Sequence, residues 1–257
     1  MFDWLFPPSC PCNLPAKEWI EYRLQWLSEE FDDHAFNGRR IVLPTADFFP
    51  SNYDRSYDAV RDLLDQTCEY MDVDPQFVHL KILDDTEQKT YLENEYGQSL
   101  VTAGTYEEGR RMTIITIAKS GLHDPMSLVG TMAHELAHKR LLGEGRIMRE
   151  EFDNELLTDL TTVFFGLGIF QANSNRPLIR SDELWQGTGF VRPEYMTPPM
   201  YGYALAHLAW FRGEQSPSWA RHLHLNARPD FNQGLRFLQK TGESEFKPPK
   251  MRNQRRR

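Results

Sequence analysis

The sequence predicts an α+β protein in which a mixed α/β half precedes a mostly helical half. Up to about Lys119 the chain alternates amphipathic helical patterns with strand patterns, whereas from Met126 onwards it shows helical patterns alone. With 257 residues, of which 40% are apolar and 26% charged, the chain can bury a core and has the composition of a globular protein. We therefore divide it into a Pro- and Cys-containing segment (1–15), an α/β lobe (16–145), a helical lobe (146–245) and a basic tail expected to be disordered (246–257).

The α/β half contains two predicted helices and three predicted strands, the first of which is a short strand over Arg40–Pro44 that Pro44 ends. Apolar residues recur at helical spacing over Ala16–Phe31 and again over Arg55–Met71. Alternating and β-branched residues favour strands over Phe77–Leu83 and Arg111–Lys119, the second of which reads RMTIITIAK.

The helical half begins with an N-terminal cap signal. Asp124 followed by Pro125 suits the cap and first position of a helix, and the helical pattern continues over Met126–Leu142 until Gly143 and Gly145 end it. Further helices are predicted over Glu150–Phe170, Met200–Gly213, Ser216–Asn226 and Pro229–Thr241.

Charge and apolar patterning argue against several classes of function. A formal net charge of −8 disfavours nucleic-acid binding by the body of the protein. The first residues lack the basic start of a secretory signal, and the longest apolar run, Val163–Phe170, is shorter than the roughly 20 residues that span a bilayer. We therefore expect a cytoplasmic protein without a membrane partner. Six of the last eleven residues are Lys or Arg, so the tail is either a solubilising arm or a contact for an acidic partner.

The three cysteines are too few for a disulfide framework and are consistent with a reducing compartment. Cys10-Pro11-Cys12 could supply two thiolates to a metal or form a redox pair. The chain has no second Cys pair to complete a four-thiolate metal site, so ordinary reduced thiols are the simpler interpretation.

The strongest functional signal is the run His134-Glu135-Leu136-Ala137-His138 within the predicted helix over 126–142. Residues four apart lie on one helix face, so the two histidines can direct their imidazoles at one metal ion. Zinc favours such nitrogen ligands in tetrahedral geometry. Glu135 is rotated away from that axis, where its carboxylate can act as a general base on a metal-activated water.

The following helix offers a third ligand. A catalytic zinc needs three protein ligands and one open position. Glu155 lies seventeen residues after His138, and Asp159 follows four residues later on the same helix face. One of these carboxylates can bind the metal, while the other can accept the Nδ1–H of a zinc histidine and fix its tautomer.

HELAH followed by NELLTD resembles the gluzincin zinc metallopeptidases over about 33 residues, 127–159. The resemblance implies a zincin-like fold, Zn²⁺ as the cofactor and hydrolysis of a peptide or protein substrate. It implies His134, His138 and Glu155 as zinc ligands and Glu135 as the catalytic base.

The resemblance also implies roles for residues around the metal. Asp159 would hydrogen-bond a zinc histidine, with His134 as the expected one. The strand Arg111–Lys119, directly before the active-site helix, would be an edge strand that pairs with an extended substrate. Its substrate-binding residues would be Ile114, Ile115, Thr116 and Ile117.

The gluzincin pattern further includes a Tyr or His that stabilises the oxyanion, for which this chain offers no fixed motif. Tyr203 and His207 share one face of a predicted helix and are our candidates, with a structural role as the competing interpretation. His123, His222 and His224 are the alternatives.

A second function from another class is a zinc-containing regulator that has one partner and little turnover, similar to the ImmA/IrrE group. The compact body, the lack of an export signal and the basic tail favour such a narrow partner. A purely structural zinc is less consistent with three ligands, since structural sites prefer four protein ligands, usually including Cys.

Overall fold

The computed structural model describes residues 7–31, 38–49, 52–84, 104–108, 112–174 and 194–247. Most of the predicted basic tail, residues 248–257, lies outside this described part. In chain order the helices and strands are α1 (Leu14–Glu30), α2 (Tyr57–Tyr70), β1 (Val78–Leu83), β2 (Gly104–Glu108), β3 (Thr113–Ala118), α3 (Pro125–His138), α4 (Asn154–Phe164), α5 (Gly168–Asn173), α6 (Pro198–Phe211) and α7 (Arg228–Thr241). The fold is α+β, as the sequence predicts. Within the described residues, no helix is long and apolar enough to cross a membrane.

The chain forms two compact units that differ from the predicted lobes. The α/β unit comprises Val42–Phe152, and the helical unit comprises Met1–Ile41 together with Asp153–Arg257. Helix α1 belongs to the helical unit, where it packs against α4 and α6. The sequence instead placed residues 16–145 in a single α/β lobe, because helical periodicity shows that a helix has a buried face without showing what covers it.

The α/β unit contains a three-stranded sheet with the order β1-β3-β2. Strand β3 pairs with β1 in parallel, with His79 opposite Ile114, and with β2 in antiparallel fashion, with Tyr106 opposite Ile115. The predicted strands over Phe77–Leu83 and Arg111–Lys119 are therefore confirmed to within two residues. The prediction that the second of these is an edge strand is wrong, because its main-chain groups are paired on both sides. The prediction of a short strand over Arg40–Pro44 is wrong, because these residues form no strand.

Helix α3 begins at the predicted cap. One carboxylate oxygen of Asp124 accepts hydrogen bonds from the main-chain N–H groups of Met126 and Ser127, both at 3.1 Å, and Pro125 occupies the first turn. The α-helix ends at His138, four residues earlier than predicted, and continues as one π-helical turn over Lys139–Gly143. Such turns are rare and often occur at functional sites.

The helical unit is built around close contacts between α6 and α7. A Cβ atom added to Gly202 on α6 would lie 2.6 Å from the Cβ of Asp230 and 2.7 Å from the main-chain nitrogen of Phe231 on α7. These separations are well below ordinary van der Waals contact. The absence of a side chain at this position is therefore what allows the two helices to approach each other.

We expect Gly202→Ala to destabilise the protein. The added methyl meets main-chain atoms of α7, so the overpacking cost of about 1–3 kcal/mol exceeds the gain of up to about 1 kcal/mol from higher helix propensity. Thermal unfolding followed by circular dichroism would measure the difference. Gly121→Ala is the control, because a Cβ there meets nothing within 4 Å. Equal melting temperatures for the two variants would contradict this account of the contact.

Candidate metal centre

Two histidines occupy the last turn of α3. His134 and His138 are 4% and 8% exposed, and their ring centroids lie 4.8 Å apart with the rings perpendicular. The spacing of four residues places both on one helix face, as the sequence predicts. Glu135, between them, is also buried. The helix thus presents two imidazoles together, in a setting largely shielded from solvent.

Glu155, in the first turn of α4, completes a cluster with these histidines. One ligand atom from each of His134, His138 and Glu155 can be chosen so that all three lie within 4.8 Å of one another. In the described part of the chain, this is the one group of at least three such side chains that could hold a metal ion. The predicted ligand set is therefore brought together.

The donor atoms of this cluster fit a zinc ion. Two imidazole nitrogens and one carboxylate oxygen are the ligands of a common type of catalytic zinc site. Ligands at about 2.1 Å from a tetrahedral ion lie roughly 3.4 Å from one another. The ligand atoms of the cluster lie within 4.8 Å of one another, so they would have to approach each other by up to about 1.4 Å to bind such an ion.

The start of α4 is fixed by a buried carboxylate, Asp153, which is 0% exposed. Arg23 of α1 donates from Nε to Oδ2 and from Nη2 to Oδ1, both at 2.7 Å. Trp19, one turn earlier on α1, donates its indole N–H to Oδ2, also at 2.7 Å. Both oxygens of Asp153 are thus engaged two residues before Glu155. Asp153 therefore anchors the helix that carries the candidate ligand Glu155.

Sequence reasoning missed this anchor. Trp19 and Arg23 lie on a helix whose residue spacing does not indicate an acidic partner, and Asp153 is 134 and 130 positions away from them along the chain. The signal available in the sequence was the burial expected of Trp19, whose indole N–H needs an acceptor once it is removed from water.

Asp159 lies one turn after Glu155 on α4 and is fully buried. Its Oδ2 accepts a hydrogen bond from the main-chain N–H of Met196 at 3.0 Å. This bond holds the segment just before α6 against α4. Burial of a carboxylate requires such partners. That Asp159 also orients His134 stays a prediction.

Tyr203 and His207, the candidate oxyanion donors, belong to a buried polar cluster on α6. The Tyr203 hydroxyl donates to Oε1 of Glu21 at 2.7 Å, and both side chains are fully buried. Nδ1 of His207 lies 3.1 Å from the main-chain oxygen of Tyr203, and its Nε2 lies 3.1 Å from the Ser244 hydroxyl. A carbonyl can only accept, so Nδ1 carries the proton and Nε2 accepts from Ser244. These hydrogen bonds favour the structural interpretation of Tyr203 and His207, and a role for either residue as oxyanion donor stays a prediction.

The remaining histidine candidates lie nearer the surface. His123 is exposed and its Nδ1 accepts from Arg55 at 2.9 Å. His222 is half-buried beside Arg221, whose Nε lies 3.3 Å from His222 Nε2, and His224 is exposed. None of them is grouped with the metal cluster. The oxyanion donor therefore stays unassigned.

Comparisons with models of known protein families, with curated proteins and with solved structures found no match to this chain. The fold and the cluster together define an α+β protein with a candidate site for one metal ion. Any further assignment of function depends on the chemistry of that site.

We expect Asp153→Asn to weaken metal binding in addition to stability. The substitution leaves the buried Arg23 guanidinium without its counter-charge, which costs about 3–5 kcal/mol for a buried pair. Loss of the anchor also loosens the helix that carries Glu155, so we expect zinc affinity to fall as well. Competition with a coloured zinc chelator, at a temperature where the variant is folded, measures the affinity.

The matched control for this prediction is Asp84→Asn, which removes an exposed ion pair of 3.1 Å with Lys119. Such pairs contribute up to about 1 kcal/mol, so neither stability nor zinc affinity should change much. A folded Asp153→Asn protein with the zinc affinity of the unsubstituted protein would show that the anchor does not position the ligand.

Stability should fall as the pH is lowered from about 6.5 to about 4 because of His207. Burial lowers the pKa of His207 to about 4, and this effect outweighs the opposite effect of nearby Glu21. In this window the unfolded chain binds a proton that the folded protein excludes, so the unfolding free energy decreases by up to about 3 kcal/mol. Urea unfolding at several pH values measures it. His207→Gln should lose less stability over the same range, and identical pH profiles for the two proteins would refute the assignment.

Proposed function

We propose that this protein is a zinc-dependent metallopeptidase of zincin-like fold. The observation that carries the proposal is the grouping of His134, His138 and Glu155, with Glu135 placed directly after the first ligand on the same helix. Three protein ligands leave one coordination position for water or substrate, which is the arrangement of catalytic zinc sites. A structural zinc is disfavoured because the cluster has three ligands among the residues that the structure describes, whereas structural sites prefer four.

When bound, zinc supplies a Lewis acid that activates a water and polarises a peptide carbonyl. Glu135 is the chain's own base in this proposal. Its carboxylate would accept the proton of the attacking water and then transfer it to the leaving amine. Successive residues of a helix differ by about 100° in direction, so Glu135 does not compete with His134 for the ligand position. The burial of Glu135 limits the access of competing bulk water.

The substrate would add to β2 rather than to β3. Strand β3, which carries Ile114–Ile117, already pairs with β1 and β2, so a substrate could not add to its main chain as a further strand. Strand β2 is antiparallel to β3, packs beside α3, and within the described residues is paired only along the β3 side. An extended peptide can pair with the main chain of such an edge strand. Because α3 carries the histidines, this edge is the one that would hold a peptide near the metal.

A regulator with one partner protein is the alternative function. It would require the same ligands but would show no hydrolysis of general peptides. The two proposals therefore differ in turnover and not in metal content, and one set of variants can separate them.

We expect Glu135→Gln to retain zinc and to lose hydrolysis. The amide cannot accept a proton, and a general base contributes about 10²–10⁴-fold in rate. Elemental analysis gives the zinc content, and mass spectrometry of a peptide mixture from a proteome digest gives cleavage. Glu155→Ala should instead lose metal affinity, because it removes a ligand.

The control for surface charge is Glu150→Gln, which removes an exposed carboxylate close to α4 and should leave zinc content and cleavage unchanged. Cleavage by the Glu135→Gln protein at the normal rate would contradict the role of Glu135 as general base. Zinc-loaded unsubstituted protein that cleaves no peptide in the mixture would favour the regulator. Failure of the unsubstituted protein to bind zinc would exclude both the peptidase and the zinc-containing regulator.

A further inference from the structure

Residues 243–247, which follow α7, pack against helices α6 and α1; we call them the strap. Gly242 ends α7 in the left-handed conformation, with a φ of +64°, so the chain leaves the helix axis at this point. The side chain of Phe246 is 1% exposed. Its ring centroid lies 4.8 Å from that of Phe211 and 6.2 Å from that of His207, both on α6. The strap is therefore anchored in the helical unit by a buried aromatic ring.

The strap is also tied to α1 by main-chain hydrogen bonds. The main-chain N–H of Glu245 donates to Oε2 of Glu21 at 2.9 Å, and that of Lys247 donates to Oε1 of Gln25 at 3.1 Å. Glu21 and Gln25 are one turn apart on α1, so the strap holds the helix at two successive points of one face. The Ser244 hydroxyl lies 3.1 Å from an imidazole nitrogen of α6, which links α6 to the same segment.

The opposite face of α1 holds Asp153, next to the proposed ligand Glu155. Trp19 and Arg23 donate three hydrogen bonds of 2.7 Å to the Asp153 carboxylate, which immediately precedes α4. Arg23 lies between the two strap-binding residues in the chain, and residues two apart on a helix differ by about 200° in direction. Helix α1 is thus held between the strap on one face and Asp153 on the other.

We propose that the strap positions the metal centre: with Phe246 docked, α1 is held against Asp153, and Glu155 is kept in place to bind the ion. The inference rests on the metal site of the proposed function and not on hydrolysis. Release of the strap takes the Glu245 and Lys247 donors away from α1 and uncovers the aromatic side chains of α6. Since α1 then keeps fewer of the contacts that fix it, the docked and released forms differ in zinc affinity.

Thermodynamic linkage makes this coupling reciprocal. If docking of the strap strengthens zinc binding by a given factor, zinc binding shifts the strap towards its docked form by the same factor. Couplings between two sites are typically about 5–150-fold. The strap carries its own reporters of docking, because the main-chain N–H groups of Glu245 and Lys247 are hydrogen-bonded to α1 when it is docked.

The first test compares the zinc affinities of full-length variants by competition with a coloured chelator, at a temperature where all variants are folded. Phe246→Ala should bind zinc at least about fivefold more weakly, because alanine cannot hold the strap against α6. Phe246→Leu should keep most of the affinity, because leucine restores much of the apolar contact.

The matched control is Trp219→Ala, which removes another buried aromatic side chain of the helical unit. The Trp219 ring packs on Phe231 of α7, and its indole N–H donates to Glu214. This substitution should lower the melting temperature without lowering the zinc affinity. The comparison separates loss of stability in general from loss of the strap.

The second test measures amide hydrogen exchange by NMR in the unsubstituted full-length protein, with and without zinc. Zinc should slow the exchange of the Glu245 and Lys247 amides by a factor close to the loss of zinc affinity in Phe246→Ala. The reference is the main-chain N–H of Arg228, which donates to the His224 carbonyl at 2.9 Å at the start of α7. Zinc should change the exchange rate of this reference amide much less.

Several outcomes would overturn the proposal. These are a folded Phe246→Ala protein with the zinc affinity of the unsubstituted protein, equal losses of affinity in Phe246→Ala and Trp219→Ala, and strap amides whose exchange zinc does not change. Each of them leaves zinc binding by the unsubstituted protein, and hence the proposed function, intact. Failure of the unsubstituted protein to bind zinc would instead refute the metal centre itself, and with it both proposals.

Discussion

The buried carboxylate of Asp153 is the constraint on which the proposed site depends. Moving an ion pair out of water costs several kcal/mol per ion unless its hydrogen-bonding capacity is filled, and here Arg23 and Trp19 together supply three short hydrogen bonds. Two of them form the bidentate arrangement in which guanidinium and carboxylate match best. Because Asp153 immediately precedes α4, satisfying this charge also fixes where α4 begins. The position of Glu155, in the first turn of α4, is fixed by the same contacts.

Helix α1 consequently organises the helical unit through its polar residues as much as through its apolar ones. Beyond Arg23, it contributes Glu21, which is buried and accepts hydrogen bonds from the Tyr203 hydroxyl at 2.7 Å and from the main-chain N–H of Glu245 at 2.9 Å. Lys17 pairs with the same carboxylate at 3.2 Å. A buried polar group left without a partner costs about 1–3 kcal/mol, so each of these contacts disfavours other placements of α1 against α6 and the C-terminal segment. The buried polar side chains of α1 therefore favour a single packing arrangement of the helical unit.

Local patterns predicted the parts of the structure that local physics determines. The Asp124 cap, the extent of α1, α2 and α7, and the shared face of His134 and His138 follow from residue spacing and hydrogen-bonding groups a few positions apart. The errors concern partners that are distant in the chain. Strand β3 is central because the polar segment GTYEE, which carries no clear strand pattern, pairs with it. The hydroxyl of Tyr203 donates to Glu21, an acceptor 182 positions earlier in the chain that the sequence did not suggest. Neither contact could be predicted from the spacing of residues in the sequence.

The hydrogen-bond partners of the three carboxylates near α4 explain why Glu155 is the one that lies beside the two histidines. Asp153 has both oxygens bound by α1, and Asp159 is fully buried with one oxygen bound to the main chain of Met196. Glu155 is the carboxylate whose oxygen lies in the histidine cluster. In the proposed centre, two neutral imidazoles and one carboxylate leave a divalent ion with a net charge of about +1. A second ligating carboxylate would neutralise that charge and weaken the attraction for a peptide oxygen. Because Trp19 and Arg23 of α1 engage both oxygens of Asp153, this carboxylate is held outside the proposed ligand set, to which α4 contributes Glu155.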